Sequence, residues 1–326
     1  MKAIVCTRYG SPDLLQVKEV PKPVPRDKEV LIKVLATTVT AGDWRVRSMD
    51  VPTGFRLLAR LALGIRKPRQ PILGTELSGE IEAVGKAVTR WKPGDQVFAF
   101  SDLRMGCHVE WKCMPEDGAV VAKPANLTHE EAASLSFGGT TALSYLRKGK
   151  IQRGDRVLVN GASGGVGTAA VQLAKHFGAH VTGVCSGGNF ELVRSIGADA
   201  LIDYTKEDFT KNGETYDIIV DTAGTAPFSR SKGSLGKGGR LLQVLGGLPD
   251  LLRAPWISLT TDKKVIAGPQ TARPDDVRFL ADLAEKGQLK PVIDRRFPFD
   301  RIADAHRYVD AGHKKGSVVI TLDHAR

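Results

Sequence analysis

From Met1 to about Lys123 the apolar positions come in short runs, many alternating with polar ones, and turn residues separate them. Met1–Cys6, Leu15–Val20, Glu29–Ala36, Gly79–Val84, Gln96–Phe100, His108–Cys113 and Val120–Lys123 read as strands. Gly10–Asp13, the proline-rich PKPVPRDK and Lys92–Asp95 supply the turns, and so many short strands point to a small barrel or sandwich. One segment breaks the pattern. In FRLLARLALGIR, Phe55, Leu58, Leu61, Ala62 and Ile65 share a helical face, with arginines elsewhere. Such a helix either touches a membrane with its basic amphipathic surface or rests its apolar side on its own domain as a flap. The flap is the commoner arrangement and is the one expected here.

Around Asn126 the period changes from two to about 3.6. Thr128 with Glu131 three residues on forms a capping box that opens a helix. Strands then alternate with helices: Arg156–Asn160, His180–Cys185, Ala200–Asp203, Asp217–Asp221, Arg240–Leu245 and Lys264–Gly268. Six strands with intervening helices predict a doubly wound parallel α/β sheet. Helices near Asp275–Lys286 and Arg301–Ala311 follow, with short strands at Val292–Asp294 and Ser317–Leu322.

The stretch Arg156–Phe177 organises the chain. The strand RVLVN runs into Gly161-Ala162-Ser163-Gly164-Gly165-Val166-Gly167, and a helix with Val166, Ala169, Ala170, Leu173, Ala174 and Phe177 at its apolar spacing follows. A glycine turn between strand and helix aims bare backbone N–H groups and a positive helix end at a phosphate. Ala162-x-Gly164-x-x-Gly167 is the dinucleotide fingerprint with alanine in its first place.

Bulk properties change this picture little. The 326 residues suit two domains, and 42% hydrophobic with 25% charged residues is ordinary for a globular protein. No apolar run approaches a membrane span, and Met1 leads almost directly into a strand, so no secretory signal is expected. Cys6, Cys107, Cys113 and Cys185 are far apart and form no CxxC pair, which fits a reducing cytoplasm. The net charge of +11 invites nucleic acid as a partner. The basic residues are scattered, however, except around Arg56, Arg60, Arg66, Lys67 and Arg69, and no nucleic-acid module accompanies them. A solvated basic surface that also draws in an anionic cofactor is expected instead.

The combination of Gly74-Thr75-Glu76-x-x-Gly79, Lys92-Pro93-Gly94-Asp95-Gln96-Val97, Gly139-Thr140-Thr141-Ala142, Gly161–Gly167, Gly197-Ala198-Asp199 and Gly316-Ser317-Val318-Val319 resembles the medium-chain dehydrogenase/reductase superfamily, in particular its zinc-independent quinone oxidoreductase branch. The resemblance covers nearly the whole chain. It implies a GroES-like catalytic barrel, residues 1–125 plus 269–326, with a Rossmann domain, 126–268, inserted, an active cleft between them, and a homodimer formed through Lys264–Gly268, whose edge would otherwise be unpaired.

The zinc enzymes of that superfamily use a cysteine early in the barrel and the histidine of a Gly-His-Glu motif. Here the early position falls in Thr40-Ala41-Gly42-Asp43, and Thr75 replaces the histidine. The remaining cluster, Cys107, His108 and Cys113, would split across the two faces of a strand. No metal is expected. NAD-selective folds place an acid at the end of the second strand; here Ser186-Gly187-Gly188-Asn189 offers none, and Ser186 and Asn189 can donate to a 2′-phosphate. Tyr204 matches a family residue lining that pocket. The basic residue that family members often carry near Asn189 is missing, with Lys206 or Arg194 as substitutes. NADPH is expected over NADH.

Thr141 matches a family residue near the nicotinamide, or is a helix-packing hydroxyl. Ala223-Gly224 and Leu245-Gly246 lie at carboxyl ends of strands, where ligands bind. Asp43 orients a donor or caps a turn, the cap being favoured, and Trp44 is a flat wall or a core residue. The activity implied is NADPH-dependent, zinc-free hydride transfer to quinones or α,β-unsaturated carbonyls. The alternatives are a zinc-free enoyl-thioester reductase, with Arg66–Arg69 receiving a phosphate, and a nucleotide-binding protein whose basic surface meets RNA or membrane.

Overall fold

The computed structural model describes residues 1–269 and 271–324. Gln270, Ala325 and Arg326, which the expected segment 269–326 takes in, lie outside the described residues. The first part of the chain runs β1 (Lys2–Cys6), β2 (Leu15–Glu19), β3 (Glu29–Thr38), α1 (Ala41–Ser48), α2 (Arg56–Leu63), β4 (Glu76–Val84), β5 (Gln96–Phe100), β6 (Trp111–Pro115) and β7 (Val120–Ala122). Two short helices, α3 (His129–Ala133) and α4 (Ser136–Lys148), lead into β8 (Arg156–Asn160), α5 (Gly165–His176), β9 (His180–Cys185), α6 (Phe190–Ser195) and β10 (Ala200–Asp203). Then come β11 (Tyr216–Asp221), α7 (Phe228–Ser231), β12 (Leu235–Gln243), α8 (Leu248–Thr260) and β13 (Lys264–Ala267). The chain ends with α9 (Pro274–Glu285), β14 (Ile293–Pro298), α10 (Ile302–Asp310) and β15 (Ser317–Thr321).

Six strands form one parallel sheet in the order β10-β9-β8-β11-β12-β13. In chain order that is 3-2-1-4-5-6, the dinucleotide-binding arrangement, whose direction of winding reverses between β8 and β11. Its strands read as apolar runs because helices cover both faces: Val157, Leu158 and Val159 of β8 are fully buried. A second sheet runs β14-β15-β3-β4-β5-β7, with β6 also pairing β3. The last strand of the chain thus returns to the barrel built by the first third, with Val319–Thr321 pairing Ala36–Thr38 antiparallel. Leu280 and Val277 of α9 share a core with Leu143 and Leu146 of α4.

Three expectations change. The strand expected at His108–Cys113 begins only at Trp111; His108 lies before it, fully buried, with its Nε2 2.9 Å from the carbonyl of Thr38. The strand expected to reach Leu245 ends at Gln243, which leaves Leu245 in the following turn. Most informative is α2. Its Leu57, Leu58 and Leu61 are exposed, with Ile65 just beyond it, and no residue of the helix is buried. The flap therefore does not rest its apolar face on its own domain. Leu63 and the half-buried Arg60 face inward instead.

Glu76, the first residue of β4, holds the two parts of the molecule in register. Its buried carboxylate accepts from Thr38 Oγ1 at 2.6 Å and from the backbone N–H of Phe137, in the first turn of α4, at 2.6 Å. The helix end favours a negative group there, but burial dominates and raises the carboxyl pKa from 4.5 to about 7. Between those values the folded state keeps a proton that the unfolded chain has released. Stability therefore falls as pH rises through that window. Glu76→Gln keeps an acceptor for Phe137 and removes the charge. The expected outcome is that the wild type loses on the order of 3 kcal/mol more than the variant between pH 5 and pH 8. Urea denaturation at both pH values measures this, and parallel curves for the two proteins would refute it.

Candidate active site

A cleft of about 1240 Å³ separates the parallel sheet from the barrel. It opens at the carboxyl ends of β8, β9, β11 and β12, where the strand order reverses and where such sheets bind ligands. Thr38, Trp44 and Phe100 line the barrel side, and Asn160, Gly164 and Val184 line the sheet side.

The glycine turn splits into two kinds of position. Ser163, Gly164, Gly165 and Val166 line the cleft, whereas Ala162 and Gly167 are buried behind it. Gly167 is small for packing, because a Cβ there would stand 2.0 Å from the carbonyl oxygen of Gly161. Gly161 itself has φ +84°, a conformation glycine tolerates without strain. Gly164 is the N-cap of α5 and has open space: a Cβ would find only the Gly161 carbonyl oxygen, at 3.5 Å. Its bareness leaves room for a ligand against the first turn of α5, where the positive helix end favours an anion.

Three residues named from the sequence meet in one hydrogen-bonded knot beside this turn. The Asn189 side-chain amide donates to Ser163 Oγ and to Ser186 Oγ, each at 3.1 Å. All three line the cleft, and so does Tyr204, which is 62% exposed and stands as a free edge at its rim. An acid does lie close by. Asp203 Oδ2 would meet a Cβ on Gly187 at 2.7 Å, but its Oδ1 accepts from Thr205 N and Thr205 Oγ1 and the residue does not line the cleft. Lys206 and Arg194, the cations considered from the sequence, do not line it either. Arg230 does, with its guanidinium 3.0 Å from Asp208 and donating to the Thr225 carbonyl at 2.9 Å.

Across the cleft, Trp44 and Thr141 both line the wall. Trp44 also packs against the barrel core, with the Arg45 guanidinium 4.9 Å from its ring centroid, so wall and core residue are one role. Thr141 donates to the Phe137 carbonyl at 2.7 Å, the helix back-bond, while keeping a partly exposed position on the cleft. Asp43 takes the cap favoured from the sequence and not the donor-orienting role. It is fully buried and away from the wall, where its carboxylate closes a capping box with Thr40 and accepts from Gly74 N at 3.0 Å. Ala223 and Leu245 line the cleft; Gly246 is buried in the turn, and a Cβ there would meet Ala267 at 2.9 Å.

Around Thr75 the donor set is two hydroxyls, Thr40 Oγ1 and Thr75 Oγ1, 3.3 Å apart, with Asp43 committed to its cap. Hydroxyls and a carboxylate so engaged do not fit zinc, which takes thiolate, imidazole or free carboxylate. Among the described residues no three His, Cys, Asp or Glu side chains stand together as a metal site.

Two groups escaped sequence reasoning. Asp221, at the end of β11, accepts from Asn160 Nδ2 and from the backbone N–H groups of Gly224 and Ala226, each at 2.9 Å, and so shapes the turn carrying Ala223 and Thr225 into the cleft. Its place just beyond an apolar strand was a usable signal. Lys314 had none. Its half-buried ammonium lines the cleft, donates to the Gly316 carbonyl at 2.5 Å, and stands 3.1 Å from where a Cβ on Gly165 would be. Burial lowers its pKa from 10.5 to about 8, against the pull of Asp294 and Glu76.

Residues 26–124 match the alcohol dehydrogenase GroES-like domain and residues 196–320 a zinc-binding dehydrogenase domain. The chloroplastic quinone-oxidoreductase homolog of Spinacia oleracea is 30% identical over 338 residues, covering 98% of each chain. The mitochondrial NAD(P)H oxidoreductase RTN4IP1 of Bos taurus is 33% identical, covering 99% of this chain and 89% of that one. Among solved structures, the quinone oxidoreductase of Coxiella burnetii superposes with a TM-score of 0.86 at 27% identity over 99% of both chains. With a cleft at the switch point, a bare glycine turn and these relatives, the chain belongs to the medium-chain dehydrogenase/reductase superfamily, in its quinone oxidoreductase-like branch, and is an oxidoreductase using a nicotinamide cofactor.

Proposed function

We propose that this protein is an NADPH-dependent, zinc-free reductase of quinones or α,β-unsaturated carbonyls. The observation that carries the reading is the hydrogen-bonded knot of Ser163, Ser186 and Asn189 beside the glycine turn. The Ser163 and Ser186 hydroxyls, which accept from Asn189, keep their own hydrogens to donate to a 2′-phosphate. Of the carboxylates on the wall beyond Tyr204, Asp208 is paired with Arg230 and Glu207 accepts from Asn212. The backbone of Gly164 and Gly165 would take the diphosphate at the end of α5, with Lys314 as its counter-charge. When bound, the reduced nicotinamide supplies the hydride. Trp44, Thr141 and Phe100 shape the space that aligns an acceptor. An acceptor polarised by its own carbonyl needs no metal, which agrees with the hydroxyl donor set at Thr40 and Thr75. Glu76 lines the cleft while accepting from Thr38 and Phe137, and on this reading the proton that completes the reduction is taken from solvent at the cleft mouth.

The test is steady-state kinetics with NADPH and NADH against simple quinones, alkenals and enoyl-thioesters. The expected outcome is a higher kcat/KM with NADPH and turnover of a quinone or an alkenal. Preference for NADH, or turnover confined to enoyl-thioesters, overturns the proposal. Gly164→Asp fits sterically yet sets a carboxylate against the diphosphate, so it should abolish cofactor binding while leaving the melting temperature near that of the wild type. Unchanged affinity in that variant removes the glycine turn from the cofactor site.

Lys314 makes the cofactor step pH-dependent. Below about pH 8 its ammonium is charged and attracts the diphosphate; above that value the attraction is lost. kcat/KM for the cofactor should therefore fall as pH rises through about 8. Lys314→Met should lower it roughly tenfold at pH 7, the scale of one hydrogen bond to a charged group, and flatten that limb. A variant that keeps the wild-type profile excludes Lys314.

Finally, β13 is one of the two edges of the parallel sheet, β10 being the other, and Leu252, Trp256 and Leu259 on the neighbouring α8 are 70%, 69% and 82% exposed. A homodimer pairing these edges would cover them. Light scattering should give twice the chain mass, and Trp256→Glu should halve it; a monomeric wild type refutes the dimer.

A further inference from the structure

Helix α2 is amphipathic the wrong way round for a surface helix. Its outward arc is formed by Leu57, Leu58, Leu61 and Ala62, with Ile65 just after the helix, and the leucines and Ile65 are between 51% and 70% exposed. Leu63 and Arg60 face the body of the protein, and Arg60 Nε is buried without a hydrogen-bond partner. The helix is pinned in this orientation from its far end, where the Gly64 carbonyl accepts from the Tyr9 hydroxyl at 2.8 Å and the Leu63 carbonyl from Arg69 N at 2.7 Å. Contiguous exposed leucines on a soluble surface mark a contact site rather than an ordinary helix.

The rim around this arc is cationic without compensation. Arg56, Arg66, Lys67 and Arg69 are exposed, and from Val51 to Thr75 the chain carries no acidic residue. Among the described residues, none of these four cations nor Arg60 takes part in an ion pair. A second copy of the same face is a poor occupant, since a two-fold contact would set this rim against itself. A surface that is apolar a few ångströms down and negative at its headgroups satisfies both halves of the patch. No helix among the described residues is long and apolar enough to cross a membrane, so contact would be in the interface plane.

We infer that α2 and the following Arg66–Arg69 segment form a peripheral docking site for an anionic phospholipid surface, with Leu57, Leu58 and Leu61 entering the headgroup region and the cations meeting the lipid charge. The proposal stands independently of the acceptor reduced in the cleft, whose wall includes none of these residues.

The experiment is co-sedimentation of the full chain with vesicles of phosphatidylcholine alone and of phosphatidylcholine mixed with phosphatidylglycerol. The wild type should pellet with the mixed vesicles, be released by raised salt, and stay in solution with phosphatidylcholine alone. Leu57→Ser/Leu61→Ser should weaken partitioning at least tenfold, and Arg66→Gln/Lys67→Gln/Arg69→Gln roughly a hundredfold. The changes lie at exposed positions, so circular dichroism and melting temperature should stay those of the wild type in both. Failure of the wild type to pellet with mixed vesicles overturns the inference, as does equal pelleting of the wild type and both variants. Sedimentation equilibrium decides the rival occupant: self-association that the leucine variant abolishes, without vesicle binding, assigns the face to a second copy.

Discussion

The architecture depends on two bare stretches of backbone meeting without side chains between them. Gly316 N donates to the Ser163 carbonyl at 2.8 Å, and Gly164 and Gly316 form an isolated parallel bridge. The contact joins the glycine turn of the parallel sheet to the segment entering the last barrel strand. It tolerates little: at Gly316, φ is +61° and a Cβ would stand 2.2 Å from the Val292 carbonyl oxygen, and at Gly165 a Cβ would stand 3.1 Å from the Gly316 carbonyl oxygen. Because the chain leaves the barrel, builds the sheet and returns here, this one approach fixes the width of the cleft. Glu76, bridging β3 and α4, fixes it from the other side.

Much of this was legible in the sequence because the signals are local. Arg156–Asn160, His180–Cys185 and Ala200–Asp203 fall on the strands the apolar runs predict, and the first two do so because parallel strands buried on both faces leave a continuous apolar pattern. The Thr128–Glu131 capping box forms because its geometry involves only four consecutive residues. Ser163, Ser186 and Asn189 could be named singly, yet their hydrogen-bonded union is a property of the sheet that brings β8 beside β9. Lys314 lay beyond reach for the same reason. A lysine in His313-Lys314-Lys315 looks like any solvated charge until the returning strand seats it beside Gly165.

Helix α2 shows where periodicity stops informing. Spacing identified an apolar face on Phe55–Arg66, but spacing carries no sign: it states that one side differs from the other, not which side meets the protein. The orientation is set by bonds made outside the helix, at Tyr9 with Gly64 and at Arg69 with Leu63, and those bonds turn the leucines to solvent. Asp43 is the converse case. Its cap was legible because Thr40 and Asp43 are three residues apart, and Thr40 and Gly74 between them engage both its oxygens.

Charge within the cleft follows a consistent division. Ionising Glu76 in its buried position is costly, and burial likewise favours the neutral amine of Lys314; each pKa moves toward neutrality, to about 7 and about 8. Each oxygen of the Glu76 carboxyl is held by one donor, Thr38 or Phe137, whereas the ammonium keeps a face toward open space beside the start of α5. A carboxyl held at both oxygens by the two parts of the fold serves the scaffold, and a cation short of partners at a helix N-terminus is left for an anion to complete. The cleft is thus electrostatically unfinished on the sheet side and closed on the barrel side. On the function proposed above, that asymmetry would orient a nicotinamide dinucleotide with its phosphates on the glycine turn and leave the space between Trp44, Phe100 and Thr141 to a neutral, polarisable acceptor.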